Sequence, residues 1–383
     1  MHIYDYIIIG SGLSGLTIAQ RLAQETENIL VLEAQDHAGG ENRVAKLDGQ
    51  EINNGLRFFP ATAAAKKSIQ FLETVLDRKL VSGPHENLPE TYEASGFKQF
   101  VGFGDKNIEF YDQLAYFLSP EEFSFEQQPY AWVQMLQESL KDKIQTRSIV
   151  TRFGFENLDS EKPQLTHVTV NGTKQIYAKN FIFAGPVKDL GLLLNDDILN
   201  ARAKAKLKKS QAWQAICLDL FHTAKTEKTN LFVLNGTTDD EIGPCIGRFL
   251  PATEAGQISQ WLSFVDSESA EDTENIGLVL KKIKRQIKRA FPEISDSIKK
   301  ERIFMSSPVS GADIKLTGHL NIPKVENLWI ASSQAAQSKN LLGAIQQAQL
   351  VLAAMGFDSG LDINAQSKSV SEAEDSAQHE AEA

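Results

Sequence analysis

Cysteine is scarce in this chain, with only Cys217 and Cys245 among 383 residues. So few thiols exclude a disulfide framework and favour a reducing compartment. Each lies in a strand-like apolar run, where a core position is expected. No uninterrupted apolar run approaches the ~20 residues that span a bilayer. The N-terminus also lacks a basic stretch followed by an apolar one. A cytoplasmic protein without a transmembrane segment is therefore expected. Positive charge is in deficit, at a formal net −11, which disfavours nucleic acid as a partner because phosphate binding needs a concentrated basic surface. The seven histidines form no pair at a helical or hairpin spacing and there is no CxxC, so no metal site is expected.

What remains is the composition of an ordinary globular protein, long enough for two domains with real cores. Part of the negative charge is collected in residues 359–383, rich in Glu, Ser and Ala from Ser367 onward. Such a segment buries too little apolar surface to order itself, and an acidic disordered tail is expected.

The informative stretch is the first. Residues 4–9, Tyr-Asp-Tyr-Ile-Ile-Ile, read as a strand buried on both faces of a parallel sheet. Gly10-Ser11-Gly12-Leu13-Ser14-Gly15 follows directly, then Leu16, Ile18, Ala19, Leu22 and Ala23 recur at helical spacing, and residues 28–32 form a second apolar strand that ends at Glu33. The glycines thus occupy a strand-to-helix turn. There Gly10 permits the tight turn, Gly12 lets the backbone approach a pyrophosphate, and Gly15 lets helix and strand pack closely. The helix N-terminus presents free N–H groups and the positive end of its dipole to phosphate. Glu33, 18 residues beyond Gly15, stands where a carboxylate accepts hydrogen bonds from an adenosine ribose, and its charge would repel a 2′-phosphate. Strand, turn, helix, second strand and terminal acid agree on dinucleotide binding, but by themselves they do not separate FAD from NAD.

The connection after the acid, Glu33-Ala34 and onward to Gly39-Gly40-Glu41-Asn42-Arg43, resembles the flavin-containing amine oxidase superfamily, which includes the phytoene-desaturase-like and protoporphyrinogen-oxidase-like enzymes. The resemblance implies FAD, with Gly39, Gly40 and Arg43 beside its diphosphate. Relatives place an arginine directly after the two glycines, where this chain has Glu41. Residues 50–60, Gln-Glu-Ile-Asn-Asn-Gly-Leu-Arg-Phe-Phe-Pro, resemble the family segment beside the flavin ring, with Gly55 as its glycine. Residues 143–153 resemble a returning strand whose valine, here Val150, contacts adenine. Asn171-Gly172 between alternating runs is a type I′ hairpin signal in its own right, and Phe183-Ala184-Gly185-Pro186 resembles the strand end that closes the nucleotide domain. Residues 327–333 and 341–348 resemble the last strand and the flavin-capping helix, so Ser332, Ser333, Ala344 and Ile345 join the expected cofactor contacts. Here relatives end the strand in an acid, and this chain has two serines.

The resemblance implies an α/β fold: a Rossmann-like FAD-binding domain made of residues 1–75, 135–200 and 320–358, with an inserted substrate domain of mixed antiparallel sheet plus helix from residues 76–134 and 201–319. The activity implied is hydride transfer from an organic C–H, in an amine or related small molecule, to flavin N5. Arg57 is the expected substrate-site residue, for a carboxylate or for flavin charge, with a surface salt bridge as its ordinary alternative; no catalytic side chain follows from motif. A basic amphipathic helix near residues 276–291 suggests peripheral membrane contact, but an ordinary helix on a sheet is favoured. The aromatic-rich residues 97–125 are expected in the core more than around a cavity. Two rival readings stay open: a degenerate nucleotide-binding relative without catalysis, motivated by Glu41, Ser332 and Ser333, and an NAD-dependent dehydrogenase, resting on the glycine motif alone.

Overall fold

A computed structural model describes residues 2–94, 96–103, 111–158, 162–209, 212–234, 244–306, 309–310, 325–336 and 338–361. Its first sheet is built around the opening strand, Ile3–Ile9. That strand runs parallel to Ile29–Leu32 on one side and to Lys174–Phe183 on the other. Strand Ile144–Gln145 extends the parallel order beyond Ile29–Leu32. Beyond Lys174–Phe183 lie parallel Leu328–Ile330 and an antiparallel pair, Gln164–Val170 and Val150–Glu156.

The isoleucine run makes this strand central because alternate side chains serve opposite faces. Ile8 packs with the helices Leu13–Ala23, Ala63–Leu76, Pro129–Ser139 and Asn340–Ala354. Ile7 and Ile9 pack the other way, against Phe153, Leu165, Val168 and Leu190. The hairpin at Asn171-Gly172 takes positive φ at both residues, 51° and 77°, as a type I′ turn requires.

A second sheet runs in the order Ile298–Met305, Ala212–His222, Gln257–Asp266, Cys245–Phe249, Phe232–Leu234, Glu90–Glu93, Gly96–Gln99. One face, with Ile216, Leu218, Leu220 and Trp261, receives Val279, Ile283 and Ile287 of the helix Thr273–Ala290. Each such burial contributes ~1.5–3 kcal/mol. The opposite face, with Ala215, Cys217, Leu262 and Phe264, packs on Leu56, Phe58 and Phe117. The seam between the two halves therefore falls on the segment that follows Asn53.

Several boundaries differ from expectation. Residues 143–153 are two strands, Ile144–Gln145 and Val150–Glu156, because the chain turns between them with Arg147 at φ 53°. The expected division at 134/135 cuts the helix Pro129–Ser139, whose Trp132, Val133 and Leu136 pack beside the glycine-turn helix. Proline at a helix's first turn is a start signal, and this helix opens at Pro129. Residues 76–134 also split in their packing. Val81 and Phe123 join the nucleotide-side core, whereas Glu90–Glu93 and Gly96–Gln99 extend the second sheet. Of the aromatics expected there, Phe100, Phe103, Phe117 and Phe123 are buried in apolar clusters. The tail begins later than 359, since Ser359 is buried and its carbonyl accepts from Gln349 Nε2 at 2.9 Å; residues 362–383 lie outside the described residues. Among the described residues no helix is long and apolar enough to cross a membrane.

Candidate functional site

The glycine turn is set by the ends of two parallel strands. Gly10 N–H donates to the Leu32 carbonyl and Ala184 N–H to the Ile9 carbonyl, both at 2.8 Å. A Cβ on Gly15 would collide with the Gly10 carbonyl oxygen and lie 3.2 Å from Ala184 Cβ. Only glycine lets the helix start this close to the strand. At Gly12 the situation reverses, because a Cβ there would meet nothing within 4 Å. Gly12 is the N-cap of helix Leu13–Ala23 and brings no capping side chain, so open space faces the unsatisfied amides of a helix N-terminus. Leu13 and Ser14 turn their side chains inward. Leu13 is core, and Ser14 Oγ donates to the Ala331 carbonyl at 2.7 Å, tying this helix to the last strand.

Glu33 lies beneath the turn. It is buried, accepts from Ser11 N–H at 3.0 Å and from Ser11 Oγ, and through its other oxygen accepts from Gln35 N–H at 2.8 Å. Ala34 beside it is exposed. The Gly-Gly pair closes on the same turn. Gly39 N–H donates to the Ser11 carbonyl at 3.0 Å, and a Cβ on Gly40 would lie 3.2 Å from Gly12 Cα. Arg43 NH1 is 2.7 Å from His37 Nε2, and His37 Nδ1 is 2.6 Å from exposed Asp36. The side chain thus belongs to an outer polar chain.

Val150 begins a strand, pairs with Val170 and packs against the apolar layer. Ser148, two residues earlier, is tied to Glu33, its N–H donating to the Glu33 carbonyl at 2.8 Å. The start of the last helix differs from expectation. The last helix begins at Asn340, and Gly343 N–H already donates to the Lys339 carbonyl at 3.1 Å. Amides at Ala344 and Ile345 are one turn inside, with their side chains in the core, so the helix's free donors are those before Gly343. Buried Ser332 accepts from Gln334 N–H at 3.3 Å, capping a short turn, while Ser333 is exposed.

At the seam, Gly55 adopts φ 87°, with Phe304 Cζ 2.7 Å from where its Cβ would be. Arg57 is half-buried. It donates from Nε to Asn42 Oδ1 at 2.9 Å, from NH1 to the Leu56 carbonyl at 3.2 Å and from NH2 to the Glu41 carbonyl. Burial pushes its guanidinium below the usual range, and the Glu41 charge opposes that. Arg57 thereby joins the seam to the turn after Gly40.

The chain reading missed several neighbours. Tyr116 donates to the Phe58 carbonyl at 2.6 Å, and burial pushes its phenol upward. Cys217 is buried with its thiol pushed upward by burial. Asp219 is 0% exposed; burial pushes its carboxyl up to about 6, against the pull of Arg302 and Gln260. A signal for it existed: an acid inside the apolar run 215–221 demands a partner. The partners, Gln260 and Arg302, are 41 and 83 residues away.

Residues 8–75 match the profile of the NAD(P)-binding Rossmann-like domain family. The flavin-containing amine oxidase A of Equus caballus is 51% identical over 39 residues, 10% of this chain and 7% of that protein. The all-trans-retinol 13,14-reductase of Danio rerio is 32% identical over 83 residues, 22% of this chain and 14% of that one. The chain thus matches a small part of each curated relative's length. Among solved structures, cyclohexylamine oxidase from Brevibacterium oxydans superposes with a TM-score of 0.64 at 13% identity, covering 92% of this chain and 98% of that one.

Proposed function

We propose that this chain belongs to the flavin-containing amine oxidase superfamily and is an FAD-dependent oxidoreductase acting on an amine or related small organic substrate, a reading supported by its opening dinucleotide-binding unit and its fold. The observation that carries the reading is the double layer of glycines. Gly39 and Gly40 lie against the turn at residues 10–15, while the space before Gly12 stays open. A nicotinamide site needs the turn and the acid, but not a second glycine pair stacked on them.

The residues present fit the cofactor. Amides of the turn and of the first helical turn would hold its diphosphate. Glu33, whose oxygens among the described residues accept from Ser11 and Gln35, would offer further lone pairs to ribose hydroxyls. Gly55 and Arg57 would flank the ring, and the amides before Gly343 would meet its pyrimidine end. When bound, FAD supplies the hydride acceptor for a substrate C–H bond. The chain's part is then to bind, orient and exclude water. Leu56, Phe58, Phe117, Trp213 and Phe264 make the seam dry, and Arg57 places a cation where an anionic substrate group or negative ring charge would be stabilised. The matched relatives favour neither the degenerate nor the nicotinamide reading.

The test is direct. Heat release from the purified protein should yield FAD, identified by chromatography and mass, and anaerobic mixing with a panel of primary and secondary amines should bleach the flavin band. NAD outcompeting FAD, or no flavin bound after reconstitution, would reject the proposal.

A further inference from the structure

A polar rung crosses the seam face of the second sheet. Asp219 stands opposite Gln260 on one neighbouring strand and opposite Arg302 on the other. Asp219 Oδ2 accepts from Arg302 NH1 at 2.7 Å, and Oδ1 from Gln260 Nε2 at 3.1 Å. Both partners then reach across the seam. Gln260 Nε2 donates to the Asn53 carbonyl at 3.0 Å, and Arg302 NH2 donates to Asn54 Oδ1. Asn53, Asn54, Asp219 and Gln260 are all at least nine-tenths buried. The nearby rung is apolar: Cys217 opposes Phe304, and both press on Gly55, with Phe304 also lying 4.2 Å beneath the Arg302 guanidinium.

A buried ion pair is poor value for stability, because desolvation offsets its attraction. Apolar residues would serve a simple core as well. What a satisfied polar network adds is a single geometry, since any slip leaves buried groups unpaired. Here the geometry specified is that of segment 53–57 against the sheet.

We infer that Asp219, Gln260 and Arg302 are positioning residues, which clamp Asn53 and Asn54 so that Gly55 and Arg57 are held in one place beside the cofactor. The inference rests on the flavin reading for its purpose, but not for the clamp itself.

The test uses the full chain, with and without FAD. In Asn54→Ala, which removes the Arg302 bond to the loop and leaves the Asp219–Arg302 pair and the Gln260 bond to the Asn53 carbonyl intact, amide hydrogen exchange in residues 53–57 should rise at least tenfold while the opening strand stays protected. The reconstituted variant should show an altered visible circular dichroism of its flavin and at least tenfold weaker FAD binding. Asp219→Ala should do the same, and Asp219→Asn, which keeps one acceptor oxygen and turns its NH2 toward the other donor, should fall between Asp219→Ala and wild type. That graded response separates positioning from bulk packing. Unchanged exchange in Asn54→Ala, or an unchanged flavin spectrum despite faster exchange, overturns the inference. If wild type binds no FAD at all, the cofactor reading fails, and exchange alone still decides the clamp.

Discussion

Two alanine substitutions three residues apart should behave in opposite ways, and the difference measures what the glycine turn does. In Gly15→Ala the new Cβ overlaps the Gly10 carbonyl, a backbone atom that no rotamer change can move aside. Overpacking of this kind costs ~1–3 kcal/mol, here at the upper end, and the helix preference of alanine returns about 1 kcal/mol. A net loss of about 2 kcal/mol should lower the apoprotein's Tm by roughly 4 °C. In Gly12→Ala the Cβ meets nothing within 4 Å, and the exchange of glycine for alanine at an N-cap costs only about 0.5 kcal/mol. The methyl group, however, stands where the diphosphate must approach. Loss of one charge-assisted amide bond, ~1.5–3 kcal/mol, corresponds to ~10–100-fold in Kd. Thermal unfolding of the apoprotein and FAD titration followed by quenching of flavin fluorescence separate the two effects. FAD binding to Gly12→Ala within twofold of wild type would refute the assignment of that open space, and an undiminished Tm in Gly15→Ala would refute the packing argument.

Glu33→Ala strands the Ser11 and Gln35 donors and should cost ~1–3 kcal/mol in urea unfolding, besides weakening FAD. For Asp219 the linkage sign runs against the usual carboxylate. Its folded value, about 6, lies above the unfolded 3.8. The folded state therefore binds the proton more tightly, and this group's contribution falls as pH rises from about 4 to 6, by on the order of 3 kcal/mol; Asp219→Asn should flatten that slope in denaturant titrations across the same window. Both thiols are buried, with Cys245 pushed up to about 12, so a disulfide reagent at pH 8 should label neither until the protein is unfolded. Reversing Lys281 and Arg285, both exposed on the helix Thr273–Ala290, should change stability by less than ~0.5 kcal/mol each. It should also leave sedimentation with anionic vesicles at background, whereas wild-type binding abolished by these changes would establish membrane docking.

Local signals were strong where one element answers to its own sequence. The isoleucine run, the three glycines, Glu33 and Asn171-Gly172 could be read directly, because a strand buried on both faces, a helix starting against it and a type I′ turn each restrict residue type at neighbouring positions. Side-chain destinations were harder. Arg43 follows the glycines in sequence yet reaches His37, and Arg57, 14 positions later, is the arginine that returns to the turn after Gly40.

The sequence by itself determined a dinucleotide turn, because its geometry is local and its steric demands fall on consecutive residues. Only the tertiary structure decided what lies over that turn and across the seam. Gly39 meets Ser11 and Gly40 meets Gly12, while Asp219 meets Gln260 and Arg302, and Arg302 meets Asn54, through pairings whose partners are tens to hundreds of residues apart. Strand register and helix packing bring such groups together, and no short-range pattern encodes either.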